Sequence, residues 1–378
     1  MAIYLDHAAT TPMTPEVLGE FTRALAVAGN PSSIHSQGQA ARRMLEEARL
    51  AVADAVGAET VEVTFTSGGT ESINLALKGL FWAREGNRVL STRAEHHATI
   101  DSLEWLESHE GAVIEWIPGD DAGRIDLDAL AAALSPDVAF VTTLLANNEV
   151  GTIQPVREIV ELASAHGVPV HVDAVSAFGS VPIDFAALGA AAMSVSAHKV
   201  GGPVGVGALV LGRGASVTPL LHGGNQQRAR SGTMDAAGAH AFGVAATAAT
   251  RDLAHLPQLA ALRDRLVAGV QSGVPTAVLR GDPVDRLPGN AHFTFPGCEG
   301  DSLLFLLDAA GFSVSTGSAC QAGVPEASHV LLAMGLSEAD ARGALRFTLG
   351  HTTTADEVDA LVAVLPGVVE RAHAAGLS

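Results

Sequence analysis

Short apolar runs alternate with longer amphipathic ones along the first two-thirds of this chain, and that alternation constrains the fold more than any other feature. The strand-like runs cover 61–65, 88–91, 113–117, 138–142, 168–172 and 192–195. Helix-like stretches at 34–56 and 70–84 lie among them, and Pro155 is expected to open a further helix at its first position, where a missing N–H costs little. Strands separated by helices predict a mostly parallel sheet covered by helices, with ligands gathering at the carboxyl ends of the strands. After about residue 250 the pattern changes to a helix at 252–272, strand-like segments around Thr276, Ala291 and Phe312, and a final helix at 355–374. The expected organisation is α/β, with a large domain over 15–252 and a smaller α+β domain built from 1–14 and 253–378. No internal repeat and no linker rich in Ser, Pro or Lys separates the two, so they are expected to share one site.

The formal charge of -19 repels phosphate backbones and anionic lipid, which argues against nucleic acid and membrane surfaces as partners. The start, Met-Ala-Ile-Tyr-Leu-Asp, has no basic n-region and does not read as a secretion signal. The longest uncharged run, 236–250, is alanine-rich and short of the ~20 residues a membrane span needs, so it reads as a buried helix. Two cysteines, Cys298 and Cys320, make no disulfide framework, and CxxC metal spacings are absent. That usage suits a reducing cytoplasm, one reactive thiol and no metal site.

Only two lysines occur, Lys78 and Lys199, while arginine supplies the other fixed cations. Lys78 lies on the polar side of a helix-like stretch and reads as a solvated surface cation. Lys199 sits in Ser-Val-Ser-Ala-His-Lys-Val-Gly-Gly (194–202), where a strand ends in small residues that permit close backbone approach to a ligand. Its amine is either incidental to that turn or placed to form a Schiff base. The strand 168–172 finishes in Asp173, which is either a helix N-cap or the ionised partner that a pyridinium nitrogen requires. The stretch Thr-Phe-Thr-Ser-Gly-Gly-Thr-Glu (64–71) runs from strand to helix and offers free N–H groups, a positive dipole end and hydroxyls, which is a phosphate cradle. It lacks GxxxxGK[ST] and is not a nucleotide P-loop. A phosphate anchor, a carboxylate and a lysine, in that setting, are what pyridoxal phosphate requires.

Cys320 lies in Ser-Thr-Gly-Ser-Ala-Cys-Gln-Ala-Gly (315–323), a polar segment bracketed by glycines, where a thiol can be solvated and act as a nucleophile. Cys298, in Phe-Pro-Gly-Cys-Glu (295–299), reads instead as a packed or turn residue. Arg346 alternates with apolar residues as in a strand, so its fork either grips a substrate carboxylate or joins a structural ion pair. His96 and His97 follow Glu95 at a strand end, and either imidazole is a candidate to stack on a cofactor ring or carry protons.

With these residues assembled, the chain resembles the cysteine desulfurases of the iron-sulfur assembly type, within the class V aminotransferase-like group of fold-type I pyridoxal phosphate enzymes. The matching stretches run the length of the chain: YLDHAATTP (4–12), GNPSSIH (29–35), FTSGGTES (65–72), EHHA (95–98), NNEVGTIQP (147–155), VDA (172–174), SAHK (196–199), RSGT (230–233), STGSAC (315–320) and LRFTLG (345–350). The resemblance implies that Lys199 binds the cofactor as an imine, Asp173 pairs with its ring nitrogen, and His97 stacks on the ring and aids proton transfer. It implies further that Gly69, Thr70, Ser196 and His198 hold the phosphate, with Thr233 arriving from a second subunit of a homodimer. Asn148 would contact the cofactor or the bound amino acid, and Arg346 the carboxylate of L-cysteine. Cys320 would take the substrate sulfur as a persulfide, release alanine, and pass the sulfur to an acceptor protein.

Two departures from the family pattern stand out. Ser176 occupies the cofactor-contacting position where the family usually has Gln, and its hydroxyl is too short to reach the cofactor's phenolic oxygen. Gly-Gly-Asn-Gln-Gln (223–227) replaces the usual three glycines followed by Gln-Glu. The expectation is an active enzyme that is slow or partner-dependent. Two rivals stay open at this level: a selenocysteine or cysteine-sulfinate lyase, and a non-catalytic sulfur-relay or scaffold protein that keeps the fold.

Overall fold

The computed structural model describes residues 2–317 and 327–376, so Cys320 lies outside the described residues. In chain order the strands are β1 (Ile3–Tyr4), β2 (Val63–Thr66), β3 (Arg88–Ser91), β4 (Val113–Trp116), β5 (Val138–Leu144), β6 (Val170–Asp173), β7 (Ala192–Ser196), β8 (Gly207–Leu211), β9 (Val278–Arg280), β10 (Asn290–Thr294), β11 (Phe312–Ser313) and β12 (Ala344–Thr348). Seven of them form one sheet in the order β2-β8-β7-β6-β5-β3-β4. Its pairings are parallel except at β8, which runs antiparallel to both β2 and β7. Both faces of β5 are buried throughout, as a central strand covered on two sides requires.

The alanine-rich run is the buried helix Ala236–Asp252, capped by the Asp235 side chain, which accepts from Gly238 N at 2.9 Å. It packs against the helix Ser36–Val56 so closely that a Cβ on Gly243 would lie 2.9 Å from the Ala48 Cα. Small residues therefore do there what large ones do elsewhere, by letting two backbones approach. Pro155 is the N-cap of the helix Val156–Ala165 rather than its first residue. The difference is one position, and the missing N–H is tolerated at either.

A second core gathers around the antiparallel sheet β12-β10-β9 and includes Phe293, Phe295 and Phe347, all almost fully buried. Burying each such ring contributes about 2–3 kcal/mol. Leu5, fully buried, enters this core from the N-terminal segment. Thr348 N donates to the Leu5 carbonyl at 2.8 Å, and β1 pairs with β11 in parallel. Cys298, 4% exposed, packs here as the sequence suggests. Lys78 departs from a freely solvated cation, since its ammonium lies 4.1 Å from the centre of the Trp105 ring.

Candidate active site

Lys199 is fixed by the way the chain reverses between β7 and β8. The strand β7 runs into a single 3-10 turn, Ala197–Val200, which Gly201 closes in the left-handed region at φ 76°. A Cβ on Gly202 would come within 2.9 Å of the Ala197 Cβ, so the turn needs glycine to close. Ala197 N then donates to Val206 O at 3.1 Å, and the chain returns as β8. The Lys199 ammonium donates to the Ala8 carbonyl and, at 3.2 Å, to that of Ala9. Burial, and after it the charge of Arg346, lowers its pKa to about 8, while Asp173 and Asp6 act against the shift.

Asp173 ends β6 beside β7, 2% exposed. Its Oδ1 accepts from Val175 N at 2.9 Å, so its local partner is the following turn. Burial raises its carboxyl to about 6, opposed by that N–H and by Lys199. Glu95 lies close enough to Asp173 for the two charges to matter to each other: burial first, then Asp173, raises its carboxyl to about 8. Its Oε1 accepts from Leu144 N at 2.8 Å, which ties the end of β3's connection to the end of β5.

The cradle forms as β2 turns into the helix Gly69–Trp82. Gly68, at φ 151°, has open space where a Cβ would sit, and a Cβ on Gly207 of β8 would lie 2.7 Å from the Gly68 Cα. Thr70 is exposed at the helix start, and Glu71 is held there by Arg230 at 3.0 Å. Thr233, three residues after Arg230, is exposed. Ser196 is 1% exposed and its Oγ has no hydrogen-bond partner. His198 Nδ1 lies 3.4 Å from Thr10 Oγ1, and burial, then Lys199, lowers its pKa to about 4.

The two histidines separate. His96 caps the helix His97–Glu110, its Nδ1 accepting from Ala98 N at 3.0 Å, which assigns the remaining proton to Nε2. His96 is exposed at the surface, yet protein crowds the ring on its other sides. That burial, and next the charge of Lys199, lowers its pKa to about 4. His97 turns elsewhere, with Nδ1 3.6 Å from Asp101 Oδ1 and its ring 4.5 Å from that of His329. The charge of Lys199 thus acts on His96, while His97 lies against Asp101 and His329. The physical reason is the cap: the residue before the first helical turn faces the sheet edge, and the next residue already follows the helix surface.

Arg346 is 4% exposed on β12. Nη2 donates to Asp6 Oδ1 at 2.9 Å, Nη1 donates to the Asn148 carbonyl at 2.8 Å, and Nε has no partner. The side chain is therefore in a structural pair and still has a free donor. Asn148 Oδ1 is likewise buried without a partner. A cavity of about 500 Å³ brings Lys199 together with Ala8, Asn148, Ser176 and Thr348. Ser176 is half-buried in its wall. Asn225, in the altered glycine run, adopts φ 45°, a left-handed conformation that asparagine tolerates better than most residues.

These features fit pyridoxal phosphate. The helix N-terminus with its open Gly68 and the unpartnered Ser196 hydroxyl suit a phosphate, and the buried Asp173 carboxylate suits a protonated ring nitrogen. The Lys199 amine, lowered to about 8, suits an aldehyde. The residues given no role from sequence are Glu95 and the Ala8 and Ala9 carbonyls, whose placement is set by contacts far apart in the chain; His96, a candidate there beside His97, is the helix N-cap.

The family model for class-V aminotransferases matches residues 3–361. An "IscS-like cysteine desulfurase" of Mycobacterium tuberculosis is 52% identical over 386 residues, covering 99% of this chain and 98% of that protein. A solved "NIFS-LIKE PROTEIN" superposes with a TM-score of 0.92 at 33% identity, over 98% of this chain and 100% of the other. Another, "SspA in complex with cysteine", superposes with a TM-score of 0.80 at 31% identity, over 92% and 98%. The chain belongs to the class-V aminotransferase family and, within it, to the cysteine desulfurases.

Proposed function

We propose that this chain removes sulfur from L-cysteine with pyridoxal phosphate, leaving L-alanine and a persulfide on Cys320. The observation that carries the reading is the meeting of Lys199, Asp173 and the Gly68–Gly69 helix start at one edge of one sheet, within a cysteine desulfurase chain. Lys199 would hold the cofactor covalently, Asp173 its ring nitrogen, and Gly69, Thr70, Ser196 and His198 its phosphate, with Thr233 supplied by a second subunit. The cofactor, when bound, draws electrons from the Cα–H bond of the substrate amino acid.

Lys199, once freed, is neutral in an appreciable fraction near pH 8 and takes the Cα proton. Asn148 and the free Nε of Arg346 orient the substrate carboxylate, while Asp6 keeps the guanidinium from swinging away. The Cys320 thiolate attacks the substrate sulfur: an S–S bond forms, the C–S bond breaks, and the carbon takes a proton to become the alanine methyl. Cysteine and enzyme thiol thus become alanine and enzyme persulfide, with no outside oxidant. His96 is the imidazole we assign to the cofactor face in place of His97. Ser176, too short to replace a glutamine amide, leaves turnover slow or dependent on a partner.

We further propose a homodimer in a reducing cytoplasm that hands sulfur to an acceptor protein, with the large domain over 15–252 and the small one from 1–14 and 253–378. The two separate apolar cores and the two-cysteine composition support this. The test is alanine and sulfide release from L-cysteine by the native protein beside Lys199→Ala and Cys320→Ser. Equal products from the native protein and none from either variant are expected. An active Cys320→Ser would replace the persulfide route with a lyase, and an inert native protein would favour a relay or scaffold.

A further inference from the structure

Glu149 belongs to the NNEVG stretch, but the proposed chemistry gives it no task. It is 1% exposed. Its backbone is held on both sides: Glu149 N donates to Asn147 Oδ1 at 2.8 Å, and its carbonyl accepts from Asn290 Nδ2 at 3.0 Å. Among the described residues its carboxylate has no salt bridge. A buried carboxylate without a cation is costly to fold around, so its retention calls for a specific partner.

That partner lies just beyond the segment that carries Cys320, and the chain just before the segment passes close to the same carboxylate. On the far side, Ser328 Oγ donates to Glu149 Oε2 and accepts from Leu331 N at 3.2 Å, which caps the short helix His329–Ala333. On the near side, Arg346 N donates to Ser315 O at 2.6 Å, and Gly317 follows at φ 90°. A Cβ on Gly317 would lie 3.3 Å from the same Glu149 Oε2 and 3.2 Å from His292 Nε2. Residues 317 and 328 therefore converge on one oxygen. His292, fully buried with neither ring nitrogen partnered, walls the other side of Gly317.

We propose that Glu149 is a positioning residue for the reactive thiol, holding the chain just beyond the Cys320 segment through Ser328 and packing beside Gly317 just before it; this rests on Cys320 being the sulfur-accepting nucleophile. The neighbouring Asn148 carbonyl binds Arg346, so the same few residues set the substrate's carboxylate partner and the origin of the thiol segment in one frame. A nucleophile on a chain whose two ends are fixed keeps a high effective concentration at its target, and releasing one end lowers it.

The experiment uses the full-length, cofactor-loaded protein as Glu149→Ala, Glu149→Gln, Ser328→Ala and the Glu149→Ala/Ser328→Ala double variant. Three quantities are read: persulfide on Cys320 after one turnover with L-cysteine, the absorbance change on adding cysteine, and the iodoacetamide alkylation rate of Cys320 mapped by mass spectrometry. Glu149→Ala should slow persulfide formation about tenfold or more, since a hydrogen bond to a charged group is lost. Its absorbance change should stay within about twofold of native, because that step depends on Lys199 and not on the thiol. Glu149→Gln should restore most of the rate, its amide oxygen still accepting from Ser328. The double variant should be no worse than Glu149→Ala alone, as expected when two groups act through one contact.

Native persulfide formation in Glu149→Ala, additive losses, or loss of the absorbance change together with the persulfide would each overturn the assignment. Should Glu149→Ala fail to fold, Ser328→Ala against Glu149→Gln carries the same comparison. If the native protein forms no persulfide, the functional reading fails separately. The alkylation rate then decides the positioning role: altered in Glu149→Ala and restored in Glu149→Gln supports it, and unchanged in both refutes it.

Discussion

Replacing Asp6 by alanine tests how the N-terminal segment and β12 are joined. Arg346 and Asp6 pair at 2.9 Å with side-chain exposures of 5% and 19%. Removing one member of a buried pair costs about 3–5 kcal/mol, because the other charge is left buried and unmatched. Two features place this case at the low end, about 3 kcal/mol: water reaches Asp6 on one side, and the Asn148 carbonyl still binds Nη1. With a urea slope above ~3 kcal/mol/M for a chain of this size, the midpoint falls by somewhat under about 1 M. The assay is urea unfolding followed by tryptophan fluorescence and far-UV circular dichroism, both proteins carrying the same cofactor load. The two probes must coincide before midpoints are converted to free energies. Asp6→Ala/Arg346→Met, which removes both charges and keeps an apolar stem, should regain stability to within about 1 kcal/mol of native. A midpoint shift under about 0.2 M for Asp6→Ala, or a double variant weaker than the single one, would refute the reasoning.

Two further outcomes follow from the site. His96→Ala should lower cysteine turnover about a hundredfold and His97→Ala only a few-fold, and the reverse order in steady-state assays would restore His97 to the cofactor face. Lys199 has its pKa lowered from 10.5 to about 8, so the rate at which cofactor-free protein captures pyridoxal phosphate should rise through pH 8 and then level. A rate still climbing toward pH 10.5 would contradict the burial of the amine. The linkage has a defined sign: between about 8 and 10.5 the unfolded chain binds more protons at this lysine, so its contribution to stability improves as pH rises across that window.

Much of the architecture was legible because hydrophobic period is a local property. The runs at 88–91 and 192–195 became β3 and β7 almost unchanged, and Arg346 lies on a strand as its alternation indicates. Strand β8 was not anticipated, since its start, Gly207, is a residue that strands disfavour. The glycine is there because Gly68 of the cradle passes over it, a contact between positions far apart in the chain. The same distance hid the Asp6 partner of Arg346, and whether that arginine was paired or free was undecidable until both proved true of different atoms. Which of His96 and His97 faces the cofactor was not legible, because composition does not tell an N-cap from the first helical residue. Cys320 lies outside the described residues, so its role rests on sequence and family alone.

The Lys199 amine is gripped by the carbonyls of Ala8 and Ala9, and every amino acid at those positions offers the same oxygen. Substitution scans would find both alanines unimportant while the grip persisted. What holds the amine is the route of the chain between its tie to Thr348 at Leu5 and its tie to the His198 carbonyl at Thr11 N, 2.9 Å away. Inserting or deleting a single residue between those two ties would do what no replacement there can, by carrying both oxygens off the lysine.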